Sequence, residues 1–319
     1  MSTLLEQVEN SCSKPKVAIL LCTYNGQRFL AEQLDSFEAQ TYEIWEVWVS
    51  DDGSQDNTLM ILESYQQKWP AGRLNIQKGP SKGFVANFLS LVYSTSIEAN
   101  YFAYSDQDDV WLAEKLERSI KALGSKSINS ANLYCGRTVL IDENKKEIGL
   151  SPLFLKPPIF ANALIQNIGS GNTMVFDQNT RNLLCRARSD FYPVTHDWWT
   201  YILVTGAGGK VIFDLKPTVS YRQHQNNQIG MNSSWKSRLK RFQRIRKGCF
   251  QEWNKQHIQL LRAISEELKS ESIEILEEFE KARNMKLLNS LFQLKKSGVY
   301  RQTVKGQLSL YTAAFFGKI

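Results

Sequence analysis

The run Asp106-Gln107-Asp108-Asp109 packs three carboxylates into four residues. Negative charge concentrated in this way is unfavourable unless a cation sits there, and hard oxygen ligands suit Mg2+ or Mn2+, an ion that would bridge a diphosphate. A solvated acidic loop capping a helix that begins near Val110 fits the same residues. A second acidic pair, Asp51-Asp52-Gly53-Ser54, can be read as a turn with an N-cap, or as a carboxylate accepting a hydrogen bond from a base N–H or a ribose hydroxyl. In His196-Asp197 the carboxylate could take a proton from an attacking hydroxyl. The flanking Trp198 and Trp199 serve either the core or a sugar-stacking face, with core the expectation for at least one. His224, in a polar run rich in donors, is either solvated or a neutral imidazole completing a metal shell. His257, the remaining histidine, has no assigned role.

The elements that must carry these residues alternate between strand and helix. Val17 to Cys22 is a continuous apolar run ending in Thr23-Tyr24-Asn25-Gly26, which reads as a buried strand and a turn. Leu30, Leu34 and Phe37 have helical spacing. Ile44 to Ser50 is a second strand, followed by a helix around Leu59 and Leu62. A short strand near Leu74, a helix carrying Phe84, Phe88 and Leu91, and a strand over Tyr101 to Ser105 continue the pattern. Such alternation predicts an α/β fold with a mostly parallel sheet covered on both faces. Ligands of these sheets bind beyond the carboxyl ends of the strands, where all three polar turns fall. Later elements are less regular: a helix with Leu116, Ile120 and Leu123, strands near Leu133 to Ile141 and Thr173 to Phe176, a helix containing His196 to Trp199, and two strands near Val211 to Asp214 and Thr218 to Tyr221. From Trp235 onward helical spacing dominates. Ile258, Leu261, Ile264 and Leu268 share one face there, and Val304, Leu308, Tyr311 and Phe315 another. The chain therefore divides into an N-terminal tail (1–15), the α/β domain (16–230) and a basic helical C-terminal extension (231–319).

The 319 residues and 42% hydrophobic content suit one large α/β domain with an appendage. The net charge of +7 is unevenly spread: residues 1–234 hold 21 Lys/Arg against 24 Asp/Glu, and residues 235–319 hold 18 against 8. A nucleic-acid partner is thus not expected of the main domain. Within the extension, seven cations between Lys236 and Lys247 surround Trp235, Leu239, Phe242 and Ile245, a basic amphipathic segment suited to an anionic membrane surface. The five widely separated cysteines form neither a CxxC pair nor an even set, and are read as reduced thiols. The first residues carry Glu6 and Glu9 and no apolar run, so a cytoplasmic location is expected, with any contact at the inner face of the plasma membrane peripheral.

Val17-Ala-Ile-Leu-Leu-Cys-Thr-Tyr-Asn-Gly26, Val49-Ser-Asp-Asp-Gly-Ser54 and Ser105-Asp-Gln-Asp-Asp-Val-Trp111, in this order and spacing, resemble family 2 glycosyltransferases. Gly171-Asn-Thr-Met174, His196-Asp-Trp-Trp199 and Tyr221-Arg-Gln-His224 are similar to the bacterial rhamnosyltransferase branch. The resemblance implies a GT-A fold and inverting transfer of a sugar, rhamnose from dTDP-rhamnose, to a hydroxyl of a surface polysaccharide or its lipid-linked precursor. A UDP-hexose donor is the alternative. It also implies roles by position: Thr23, Tyr24, Asn25, Asp51 and Asp52 at the nucleoside, Asp106 at the diphosphate, Asp106, Asp108 and His224 at Mg2+ or Mn2+, and Asp197 as the base. Two departures stand out: His-Asp where many members have Glu-Asp, and no Gln-x-x-Arg-Trp motif of processive synthases. A sugar-phosphate nucleotidyltransferase would need a Gly-rich phosphate loop bearing Arg or Lys after the first strand, where this chain has a single glycine in Thr23-Tyr24-Asn25-Gly26-Gln27-Arg28.

Overall fold

The computed structural model describes residues 14–125, 130–224, 249–285 and 287–319. The basic amphipathic segment at 235–247 and the break at 230/231 lie outside the described residues.

Strands β1 (Val17–Thr23), β2 (Trp45–Asp51), β3 (Leu74–Lys78) and β4 (Tyr101–Ser105) pair in parallel in the order β3-β2-β1-β4. Helices α1 (Leu30–Glu38), α2 (Thr58–Lys68) and α3 (Phe84–Tyr93) make the crossovers. The chain winds outward from β1 and then returns to its other side, so the carboxyl ends of β1 and β4 flank the switch point where such sheets open a crevice. All seven residues of β1 are buried, because covering both faces with helices removes any solvent side for alternation to serve.

The second half extends the sheet with mixed polarity. After β5 (Val110–Trp111) and α4 (Lys115–Gly124) come β6 (Asn132–Ile141), β7 (Glu147–Leu150), the short α5 (Phe160–Ala163), β8 (Val175–Asp177), α6 (Gln178–Arg186), α7 (His196–Gly206) and β9 (Lys210–Arg222). The sheet continues β4-β8-β6-β9-β5, with β8 antiparallel to both neighbours and β7 hairpinned on β6. Two details differ from the sequence reading. Val110 starts a two-residue strand paired with Ser220 of β9, and the helix begins only at Lys115, so Asp109 caps no helix. The two strands expected around Pro217 are one, because β6 follows β9 across the turn with a register shift between Gly136 and Thr138.

The C-terminal helices α8 (Cys249–Ala263), α9 (Ser270–Asn284), α10 (Leu287–Lys296) and α11 (Val304–Phe315) build onto α7. Ile258, Leu261, Ile264 and Leu268 are all buried, in one apolar cluster with Trp199, Tyr201 and Leu203. Trp198 and Trp199 are both core. His257 explains part of that packing: its ring lies 4.6 Å from Trp198 and 6.3 Å from Trp199. Neither ring nitrogen has a hydrogen-bond partner. Burial pushes its pKa down to about 3. A histidine whose folded pKa lies below its unfolded value binds its proton mainly after unfolding, so stability falls as pH drops through the interval between the two. We expect unfolding free energy to fall between about pH 6.5 and 4, with His257 contributing about 3 kcal/mol. His257→Leu should flatten that limb, as read by urea unfolding at both ends, and an unchanged slope would show that the ring is solvated.

Candidate active site

Three loops meet at the carboxyl edge of β1, β2 and β4. In the turn after β2, the Asp51 carboxylate accepts from Thr23 Oγ1 (2.7 Å), Ser54 Oγ (2.6 Å), Ser54 N (2.8 Å) and Gly53 N (3.1 Å). A carboxylate has about four acceptor sites, so Asp51 is saturated and acts by shaping the turn. Asp52 reaches the other way, accepting from Ser81 N (2.6 Å) and Gly83 N (3.0 Å), and thereby ties the β3–α3 loop to the crevice. Asn25 adopts the left-handed region (φ 49°) that asparagine tolerates better than most residues, and its Oδ1 accepts from Gln55 N at 2.8 Å. Beside it Tyr24 is 58% exposed.

Gln107 joins the first loop to the acidic one. Its Oε1 accepts from Tyr24 N (2.8 Å) and its Nε2 donates to Tyr24 O (2.9 Å), so one side-chain amide copies the pairing of a strand. Gly26 makes room for it: a Cβ there would stand 2.3 Å from Gln107 Oε1.

The acidic residues then separate in role. Asp109 is wholly buried, accepting from Arg222 N at 2.9 Å and from Asn172 Nδ2. Asp108 Oδ2 lies 2.7 Å from His224 Nε2. Asp106 has its carboxyl raised above the usual range by burial, then by the negative charge of Asp108 and of Asp197. The same field reaches Cys22 at the end of β1, whose thiol is pushed up by burial, then by Asp106 and Asp52. Side chains from four separate stretches of sequence thus share one electrostatic neighbourhood.

Asp197 opens α7, whose N-cap is Thr195. Its Oδ2 accepts from Asn167 Nδ2 (3.0 Å) and Gly171 N (3.1 Å), and its Oδ1 from Trp198 N (2.7 Å). These bonds fix its orientation. The neighbouring His196 turns inward, stacked on Phe88 at 3.8 Å, with burial pushing its pKa down to about 4 against the charge of Asp197. Of the His196-Asp197 pair, the imidazole is buried and the carboxylate is partly exposed.

Reading the sequence overlooked Arg222, which holds this arrangement in place. It is fully buried, and its guanidinium donates to Asp108 O (2.9 Å), Glu143 O (3.0 Å) and Glu32 Oε2 (2.6 Å) while lying 4.3 Å over the Phe29 ring. A buried cation is costly unless each donor finds an acceptor, and here three segments supply them. Gln107, Asn167 and Asn172 were also missed, since an amide that orients another residue leaves no spacing signature. The hints were the runs quoted for the resemblance, which contain Gln107, Asn172 and Arg222 without giving them a role.

The glycosyl transferase family 2 model matches residues 18–187. The chain belongs to that family. It is 31% identical over 243 residues to the dTDP-rhamnosyl transferase RfbG of Shigella flexneri, covering 71% of this chain and 79% of the relative. Over 169 residues it is 30% identical to the UDP-Glc:alpha-D-GlcNAc-diphosphoundecaprenol beta-1,3-glucosyltransferase WfgD of Escherichia coli, covering 52% and 62%. Among solved structures it is similar to the mannosyltransferase PcManGT of Pyrobaculum calidifontis in complex with GDP-Man and Mn2+ (TM-score 0.51, 17% identity, 95% of this chain and 76% of that one). The S. aureus TarS 1–349 complex with UDP is similar as well (TM-score 0.55, 16% identity, 95% and 88%). At these identities the two structures bear on the fold, which is that of GT-A glycosyltransferases. This family 2 glycosyltransferase therefore carries out nucleotide-sugar transfer.

Proposed function

We propose that this glycosyltransferase moves rhamnose from dTDP-rhamnose to a hydroxyl of a surface polysaccharide or its lipid-linked precursor, with inversion at the anomeric carbon. The observation that carries the reading is that the Gly171-Asn172 turn donates both to Asp197 (Gly171 N, 3.1 Å) and to Asp109 (Asn172 Nδ2), which joins the carboxylate at the start of α7 to the acidic loop of Asp106 and Asp108, far from it in sequence. The similarity to RfbG over 71% of the chain favours rhamnose. The similarity to WfgD keeps a UDP-hexose as the alternative donor.

In this reading Tyr24 and Asn25 border the base and ribose, Thr23 and Asp51 shape the turn beneath them, and Asp52 faces the nucleoside. Asp197 accepts the proton of the acceptor hydroxyl as its oxygen attacks the anomeric carbon and the bond to the nucleoside diphosphate breaks. The Asn167, Gly171 and Trp198 donors keep the carboxylate aimed throughout. No covalent sugar intermediate is required. A divalent cation, Mg2+ or Mn2+, fits the hard donors Asp106 and Asp108 and the imidazole of His224, and would neutralise charge on the departing diphosphate. Among the described residues no three such side chains form a complete metal nest by themselves, so a bound diphosphate would supply part of the shell.

A peripheral contact with anionic lipid belongs to the same reading. Among the described residues no helix is long and apolar enough to cross a membrane. The deciding experiment offers a panel of nucleotide sugars and measures release of the nucleoside diphosphate with and without Mn2+ or Mg2+. Metal-stimulated release of dTDP above that of UDP or GDP is expected, and preferential UDP release would move the assignment to the alternative donor.

A further inference from the structure

The face that α10 and α11 turn outward is apolar and carries no acid. Leu288 and Phe292 of α10, one turn apart, are 72% and 73% exposed. Val304 and Leu308 of α11 are 75% and 60% exposed, and Tyr311 continues their stripe. The regular helical spacing predicted for Val304, Leu308 and Tyr311 is therefore real, but that stripe faces solvent, unlike the Ile258-to-Leu268 face. Exposed apolar surface of this extent on adjacent helices marks an interaction site.

The charge around it selects the partner. Glu280 is the last acidic residue of the chain, and eight Lys/Arg follow it between Lys281 and Lys318; of these, Lys281 and Lys296 pair with Glu278 of α9, and Arg283 donates to Ile319 O and Gln251 O. Lys295, Lys305 and Lys318 are exposed on or beside these helices. A second copy meeting this face isologously would set cation against cation. Residues 225–248 fit no better, because they hold seven cations and no acid. An anionic lipid surface satisfies both properties at once: apolar side chains enter the acyl boundary, and the cations are attracted to the anionic headgroups.

The face also runs toward the catalytic domain. Lys156 N donates to Gln302 Oε1 (3.0 Å) and Lys156 Nζ to Arg301 O (3.1 Å), so the loop between β7 and α5 abuts the α10–α11 turn. That loop carries Leu155, 73% exposed, and leads back to Leu150 and Ile148 of β7, also exposed. The β6–β7 turn at its far end holds Glu143, whose carbonyl accepts from Arg222 of the site.

We propose that the outward face of α10 and α11, continued by Leu155, seats the enzyme on an anionic bilayer. This deepens the proposed function by giving its membrane contact a surface, and the readout does not require turnover. The full chain is sedimented with phosphatidylglycerol–phosphatidylcholine vesicles and with phosphatidylcholine alone, over a range of salt, as wild type and as L288Q/F292Q/L308Q. A second variant replaces the seven cations from Lys236 to Lys247 with Gln. The wild type is expected to partition onto the anionic vesicles with salt-sensitive affinity. The apolar triple variant should partition at least about tenfold less well while releasing nucleoside diphosphate at the wild-type rate. Wild-type partition by the triple variant would overturn the proposal, most directly if the 236–247 variant alone lost binding. So would absence of vesicle binding by the wild type, or a lipid-free dimer that the triple variant converts to monomer. Loss of donor turnover in all proteins with vesicle binding intact would count against the enzymatic reading and not against this surface.

Discussion

Asp197→Asn is expected to lower turnover by about 10²–10⁴-fold while changing donor affinity by no more than a few-fold, the usual signature of losing a positioned general base. The amide is nearly isosteric but cannot accept a proton at neutral pH. Its geometry adds a secondary expectation. Asp197 receives N–H donors on both oxygens, from Asn167 and Gly171 on one and Trp198 on the other. Asparagine can accept on one side only, which turns the other into a donor facing a donor and costs about 1–3 kcal/mol of stability. Turnover should therefore be measured at a temperature where the variant is fully folded. Parallel loss of donor affinity and rate would place Asp197 in the donor site and sink its assignment as base.

Asp108→Ala is the second large effect: divalent-ion-stimulated turnover should fall by at least about 10²-fold, with a melting temperature close to wild type. Asp108 is part-exposed, with its side chain hydrogen-bonded to His224, so truncation opens no core cavity. Mn2+ binding, followed calorimetrically with dTDP present, should weaken with it. His224→Ala should cost less in metal affinity than Asp108→Ala, because hard carboxylate oxygens suit Mg2+ or Mn2+ better than an imidazole nitrogen does. Wild-type turnover by Asp108→Ala in the presence of chelator would show that the reaction does not depend on this carboxylate holding a metal.

The first half of the fold was legible because β1 and β4 are apolar runs closed by polar turns, and because α1 and α3 keep a helical period; Tyr101–Ser105 was located to the residue. The same punctuation marked the candidate site, since carboxylates at strand ends are conspicuous in a buried sheet. Legibility failed where tertiary pairing decides local structure. Val110 and Trp111 look like a helix start, yet pairing with β9 holds them extended. Arg222 gave no warning, because an arginine near a strand end ordinarily suggests solvent, and its acceptors lie on Glu32, Asp108 and Glu143, far away in sequence. At the Asp51-Asp52 pair the sequence leaves both a turn and a ligand contact open, and in the structure four donors of its own turn and of Thr23 occupy the Asp51 carboxylate.

The amide of Gln107 has a mechanical consequence. Because it grips both the N–H and the carbonyl of Tyr24, the loop that would border a nucleoside and the loop that bears the acidic residues are linked as one lever. Uncoupling them breaks two hydrogen bonds, about 1–3 kcal/mol, which leaves the separated arrangement at roughly 1–15% of molecules. A ligand that displaces either loop therefore carries the other with it, and Gly26, by having no side chain, is what lets the lever close.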